Sequence, residues 1–265
     1  MTTLRIYQID AFASQVFRGN PAAVCPLDAW LPDALLQNIA SENNLPETAF
    51  FVREGAAFRL RWFTPTQEVA PCGHATLAAA FALFRFLGHE DSIVRFESRS
   101  GPLSVRLKGD LLTLDFPRVA LEPLLRPPEL LLSGLGVEPS TVLRANSDPN
   151  YYVMFSSERV VRELRPDLEA LARLHPFGTV VSAQGLEYDV VSRYFAPSYG
   201  IPEDPVTGSI YCGLAPYWGE RLGIAVLRAH QASARGGDLL CEVQGDRVLV
   251  SGTAHLYLEG TIHVE

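Results

Sequence analysis

Lysine is almost missing from this chain. The one lysine, Lys108, sits in Leu107-Lys108-Gly109-Asp110, which reads as a hairpin turn. Enzymes that form a Schiff base, with pyridoxal phosphate or with a carbonyl substrate, need a desolvated lysine in a pocket. A turn tip is the wrong place for one. The same scarcity excludes a GxxxxGK[ST] phosphate loop, and neither GxGxxG nor HExxH occurs. Chemistry here is therefore expected to run on side chains, with no metal and no organic cofactor. The four cysteines, Cys25, Cys72, Cys212 and Cys241, form no CxxC pair. Their spacing fits neither a disulfide framework nor a zinc site and reads as small buried residues in a reducing compartment. No basic run exists and the formal net charge is -8, which argues against nucleic acid and anionic membrane as partners. No uncharged apolar stretch approaches the roughly 20 residues that span a bilayer. The opening residues lack the basic and apolar regions of a secretory signal, so the cytoplasm is the expected compartment.

What the chain does contain is a repeat of itself. Arg61-Trp62-Phe63-Thr64-Pro65 recurs as Arg193-Tyr194-Phe195-Ala196-Pro197, an offset of 132. Gly73 and Gly208 each open an apolar run, at an offset of 135. Ser100-Gly101 matches Arg235-Gly236 at 135, and Gly109-Asp110 matches Gly245-Asp246 at 136. Matches in order, at a slowly drifting offset, mark a duplicated unit.

Each unit runs in the same order. Segments rich in aromatic and β-branched residues predict strands at 48–52 and 58–63, then at 179–182 and 188–195. A proline-containing loop then leads into an apolar helix, 75–87 in the first half and 209–218 in the second. Gly88 and Gly223 are natural stops, and Pro216 predicts a kink. Hairpins follow, at 103–116 around Gly109-Asp110 and at 239–250 around Gly245-Asp246. A helix apolar on all sides must be buried on all sides. Each half is thus expected to wrap a curved, mostly antiparallel sheet around one central helix, in an α+β protein of two similar domains. Peripheral helices are expected at 32–43 and, interrupted at Pro166, within 158–174. The Pro-rich stretch after Pro117 sets the expected domains at 1–117 and 118–265, with the final strand free to return to the first.

Two equivalent loops, 69–74 and 201–209, end at the starts of the two central helices. If the halves pack with pseudo-two-fold symmetry, both helix starts can face one cleft and hold a carboxylate through unpaired N–H groups and the helix dipole. The plainer reading is that these loops merely enter core helices. One loop carries Cys72, Gly73 and His74; the other carries Glu203, Asp204, Thr207, Gly208 and Ser209. Taken singly, Asp204 and Ser209 read as ordinary helix-start residues and His74 as a first-turn histidine. Glu47 stands where a loop becomes a strongly apolar strand. At the edge of a dry pocket its pKa would rise toward that of a general base; exposed, it would be an ordinary strand-start glutamate.

Tyr7-Gln8-Ile9-Asp10-Ala11-Phe12, Gly19-Asn20-Pro21-Ala22-Ala23-Val24, Asn44-Leu45-Pro46-Glu47-Thr48, Phe63-Thr64-Pro65, Cys72-Gly73-His74-Ala75-Thr76 and Glu203-Asp204-Pro205-Val206-Thr207-Gly208-Ser209 together resemble the signatures of the phenazine-biosynthesis PhzF-like family. The resemblance covers nearly the whole chain. It implies a diaminopimelate-epimerase-like fold, a cleft active site, no cofactor and a homodimer. It implies that Glu47 removes and returns a proton on a small carboxylate-bearing substrate. His74 and Asp204 would assist that transfer, and Gly73, Gly208 and Ser209 would bind the substrate. Diaminopimelate epimerases use a cysteine at each helix start; here Cys72 has no thiol counterpart near Gly208, and Cys212 falls one turn inside the helix. Two-thiol racemisation is not expected, and Cys72 reads as packing. The competing readings are an epimerase or racemase pairing Glu47 with Cys72, and a non-catalytic ligand-binding protein that kept the cleft.

Overall fold

In a computed structural model that describes residues 2–264, the chain divides into two units. One holds the residues up to Asp115 together with those from Ser251 onward, and the other is Phe116–Val250. The division falls two residues before the expected Pro117. The tail joins the first unit because Ala254–Val264 pairs antiparallel with Thr2–Ala11 along its whole length, from Ala254 opposite Ala11 to Val264 opposite Thr2. Among the described residues no helix is long and apolar enough to cross a membrane.

The first unit's strands run, in pairing order, Ala254–Val264, Thr2–Ala11, Asn20–Leu27, Glu47–Glu54, Ala57–Phe63, Ile93–Ser98, Gly101–Lys108 and Leu111–Pro117. All pairs are antiparallel except two: Asn20–Leu27 with Glu47–Glu54, and Ala57–Phe63 with Ile93–Ser98. The second unit repeats this, running Thr141–Arg144, Asn150–Met154, Gly178–Gln184, Val190–Ala196, Val226–Gln231 and Gly237–Gln244, with the same two parallel steps. Registers match as well: Thr48 lies opposite Phe63, and Thr179 opposite Phe195. The duplication read from scattered motifs is thus a duplication of topology.

Each unit's central helix follows its second antiparallel hairpin. Gly73–Arg85 is buried from His74 to Ala80 and again at Ala82 and Leu83. Its last turn departs from the expectation of burial all round: Phe81 and Phe84 are half-buried and Arg85 is exposed. The first two turns lie under the strands, and small alanine side chains let those strands approach. The second helix enters through a 3₁₀ turn, Gly208–Ile210, continues as Tyr211–Leu222 with Pro216 inside it, and stops at Gly223, whose φ of 69° suits glycine. Gly109 and Gly245, at φ 63° and 61°, hold the tips of the expected hairpins. The peripheral helices are Asp33–Asn43 and the short pair Glu158–Glu163 and Leu168–Ala172.

The loops before the two central helices are tied down in the same way. Arg61 makes a two-pronged contact with Glu68, Nε to Oε1 at 2.8 Å and Nη2 to Oε2 at 2.9 Å. In the second unit Arg193 grips Glu203, Nε to Oε1 at 2.7 Å and Nη2 to Oε2 at 2.9 Å. Arg193 Nη1 also donates to the carbonyls of Val161 and Leu164, at 3.1 and 2.8 Å. Glu203 is therefore committed to the fold, so one of the two carboxylates in that loop is not available to a ligand. Removing one partner of a buried, hydrogen-bonded ion pair strands the other and costs about 3–5 kcal/mol, whereas exposed pairs contribute about 0–1 kcal/mol. Arg193→Met is expected to lower unfolding free energy in urea by several-fold more than Arg118→Met, which breaks the exposed contact with Glu220. Equal losses from the two variants would show that the Arg193 contact carries no special weight.

Candidate active site

Glu47 is placed by the end of a peripheral helix. Asp33–Asn43 stops at Asn44, which adopts the left-handed conformation, φ 49°, and donates its N–H to the Ala40 carbonyl. Asparagine tolerates that conformation better than most residues. The chain then turns through Leu45 and Pro46, and Glu47 opens a strand opposite Ala22 of its parallel neighbour. Glu47 is 8% exposed, so the reading of an ordinary exposed strand-start glutamate is set aside.

His74 comes from the first turn of the central helix. Cys72 stands at its N-cap in extended conformation without a side-chain cap bond; instead its carbonyl accepts from Thr76 N–H at 3.2 Å and from Thr76 Oγ1 at 2.5 Å. This brings His74 Nε2 to 2.9 Å from Glu47 Oε2. Both atoms are buried, and neither meets hydrogen-bond geometry with any group, so the contact is one of ion-pair distance. On the ring's other side, Nδ1 lies 3.2 Å from Asn20 Nδ2 and 3.6 Å from Cys72 Sγ. Burial works against protonation of His74. Cys72 and Glu47 both work for it and prevail, holding the imidazole above the usual histidine range. Burial and the Glu47 carboxylate push the Cys72 thiol upward against the opposing pull of His74.

The arrangement is one carboxylate, dry and in direct contact with one imidazole. It can accept a proton from a carbon acid and return it, with the ring steadying the charge on either side of the transfer. One donor atom each from Glu47, Cys72 and His74 lies within 4.8 Å of the others, a set able in donor type to hold a transition metal.

In the second unit, Asp204 ends the strand Ile201–Asp204 and accepts from Thr207 Oγ1. Its carbonyl accepts from Gln231 Nε2 at 2.8 Å, and Gln231 Oε1 accepts from Thr207 N–H at 2.9 Å. Gly208 is buried and Ser209 exposed at the 3₁₀ turn. Strand register equates Glu47 with Gly178, since Ala22 faces Glu47 where Asn150 faces Gly178. A Cβ on Gly178 would come to 2.5 Å from both Asn150 Oδ1 and the Tyr194 hydroxyl. The second unit has filled the space that the first gives to its glutamate. Cys212 is buried in the helix, its thiol pushed up to about 12 by burial and then by Asp148.

Asn20 and Gln231 were not singled out from the sequence. An asparagine in Gly19-Asn20-Pro21 reads as turn chemistry. Gln231 carries a weak signal, a polar residue at an inward position of the alternating strand Val226–Gln231.

A group protonated more readily in the folded than in the unfolded chain stabilises the fold below its unfolded pKa, about 6.5 for histidine, and loses that contribution as pH rises through the raised native value. The stability difference between the wild type and His74→Gln is therefore expected to be largest at about pH 6 and to shrink as pH rises above neutrality. Urea titrations across about pH 6 to 9 measure it; a difference that stays flat or grows contradicts the raised imidazole.

Comparisons with known proteins bear on the whole chain. The family model described as phenazine biosynthesis-like protein matches residues 9–260. An uncharacterized isomerase of Pseudomonas aeruginosa is 50% identical over 261 residues, 98% of this chain and 99% of that protein. The crystal structure of a PhzF-family protein from Enterococcus faecalis superposes with a TM-score of 0.95 at 44% identity, over 99% of this chain and all of that one. A hydroxyproline epimerase from Agrobacterium vitis shares the fold at 11% identity, with a TM-score of 0.63 over 98% of this chain and 92% of its own. The α+β fold is therefore that of PhzF proteins and of the racemase and epimerase structures akin to them. With the family model spanning nearly its whole length and relatives at half identity, this chain belongs to the phenazine biosynthesis-like PhzF family.

Proposed function

We propose that the protein is an isomerase that moves a proton on a small carboxylate-bearing substrate, with Glu47 as the acid/base and His74 as its partner. The observation that carries this reading is the buried 2.9 Å contact between Glu47 Oε2 and His74 Nε2. A dry carboxylate in contact with an imidazole is poised to take and give one proton. The name isomerase borne by the relative at 50% identity agrees with it. The absence of a glutamate at the equivalent Gly178 favours a single base that removes and returns the proton on one face of the substrate. The raised Cys72 thiol counts against Cys72 as a second base of an epimerase.

On this reading the substrate's carboxylate meets the backbone N–H of Gly73 at the start of the first central helix, and Gly208, Asp204 and Ser209 are the further binding residues that the family resemblance implies. Support comes from the equivalence of these positions in the repeat. Neither metal nor organic cofactor is needed, and the working form is a cytoplasmic homodimer.

General acid/base catalysis is worth about 10²- to 10⁴-fold. Glu47→Gln is expected to keep the fold and to lose that much turnover. The substrate is found by screening metabolite pools in D₂O, chelator present throughout, for deuterium uptake that the wild type promotes and the variant does not. Uptake by the variant at half the wild-type rate would remove Glu47 from the mechanism. Migration of a double bond, rather than inversion at one carbon, separates isomerase from epimerase.

A further inference from the structure

A neutral imidazole carries its proton on one nitrogen, and the neighbour of the other nitrogen decides which. His74 Nδ1 faces the side-chain amide of Asn20 at 3.2 Å, while Nε2 faces Glu47. The Cys72 thiol, at 3.6 Å, is the weaker donor to Nδ1. An amide N–H aimed at Nδ1 makes that nitrogen the acceptor and leaves the proton on Nε2, toward the carboxylate. When the ring takes a second proton, Nδ1–H needs an acceptor instead. The same amide, turned about its last bond, offers Oδ1. An aspartate could only accept, and a leucine could do neither.

The backbone holds Asn20 firmly for this task. Asn20 is fully buried and pairs with Ala11 across the antiparallel ladder. Gly19 before it has φ 66°, and a Cβ there would lie 2.1 Å from the Ala11 carbonyl oxygen, so the turn that delivers Asn20 accepts glycine and nothing larger. The second unit supplies an internal comparison. Pro21 and Pro149 occupy the same place relative to the parallel register, which puts Asp148 where Asn20 stands. There the position of His74 is taken by Ser209. The amide accompanies the histidine, and where the histidine is gone a carboxylate replaces it. Asp148 instead accepts from Asn150 Nδ2 and the Tyr152 hydroxyl.

We infer that Asn20 is a positioning residue that keeps a proton on His74 Nε2, the ring nitrogen on the side of Glu47, in both protonation states of the ring, presenting its NH₂ to the neutral imidazole and its Oδ1 to the imidazolium. This rests on the reading of Glu47 and His74 as the working pair. Aspartate in the same place would hold the ring charged to higher pH. Leucine would free it to protonate on Nδ1.

The test reads the ring directly, without substrate. With ¹⁵N-labelled histidine, the His74 signals are assigned by their loss in His74→Gln and followed through a pH titration. The neutral wild-type ring is expected to be protonated on Nε2. Asn20→Asp should raise the titration midpoint of His74, and Asn20→Leu should bring up the Nδ1-protonated form. Both should lower kcat by about 10- to 100-fold, the scale of orienting partners elsewhere, with KM little changed. A wild-type neutral ring protonated on Nδ1 overturns the inference even if neither variant folds, and so does an unshifted midpoint in a folded Asn20→Asp. If Glu47→Gln keeps its turnover while the ring behaves as described, the functional reading falls and the role of Asn20 toward His74 stands.

Discussion

The helix Gly73–Arg85 presents alanine or leucine on most of its surface, and such a helix is stable only where strands cover it. That constraint fixes where the first unit can put its chemistry. Once the first turns are enclosed, the residue after Gly73 must lie inside, and that residue is His74. The only way to bury an imidazole at little cost is to give its two nitrogens partners. Glu47 and Asn20 come from the starts of two adjacent parallel strands, next to the helix start, and meet the ring from opposite sides. A parallel step in an otherwise antiparallel sheet puts two strand beginnings at the same end, so the local exception in topology is what assembles the three side chains.

The Arg61–Glu68 and Arg193–Glu203 contacts serve that arrangement indirectly. Each loop leading into a central helix is long and rich in proline, and each would be free to wander without an anchor. A fork-shaped guanidinium binding a carboxylate at two points sets both distance and orientation. The anchor is repeated in the two units although the residues downstream have diverged into Cys72-Gly73-His74 on one side and Thr207-Gly208-Ser209 on the other. Duplication kept the scaffold while the units diverged: the first places Glu47 beside His74, and the second has closed the corresponding space with Tyr194 and Asn150 against Gly178.

Much of this was legible from residue patterns alone. Gly-Asp at two hairpin tips, the glycine stop at Gly223 and two runs of apolar residues each carry a local physical requirement, so they located strands, turns and central helices without knowledge of the rest; the first helix instead ends at Arg85, capped by Phe86, short of the stop expected at Gly88. Other features were illegible because they depend on partners distant in sequence. Nothing near Asn20 announces that its amide faces an imidazole 54 positions away. Glu203 beside Asp204 looked like a second site carboxylate, and only its contact with Arg193 shows otherwise. The half-exposure of Phe81 and Phe84 likewise reflects how far the strands reach along the helix, which no local pattern encodes.

The account's central claim is that Glu47 and His74 act as one unit, and a double-mutant cycle on turnover tests it most directly. Residues that share one proton lose their function together, so removing the second after the first costs little more. With turnover or solvent-deuterium exchange as the readout, Glu47→Gln combined with His74→Gln is predicted to be within about threefold of Glu47→Gln alone. Losses that multiply, as for independent residues, would contradict the pairing on which the proposed chemistry rests.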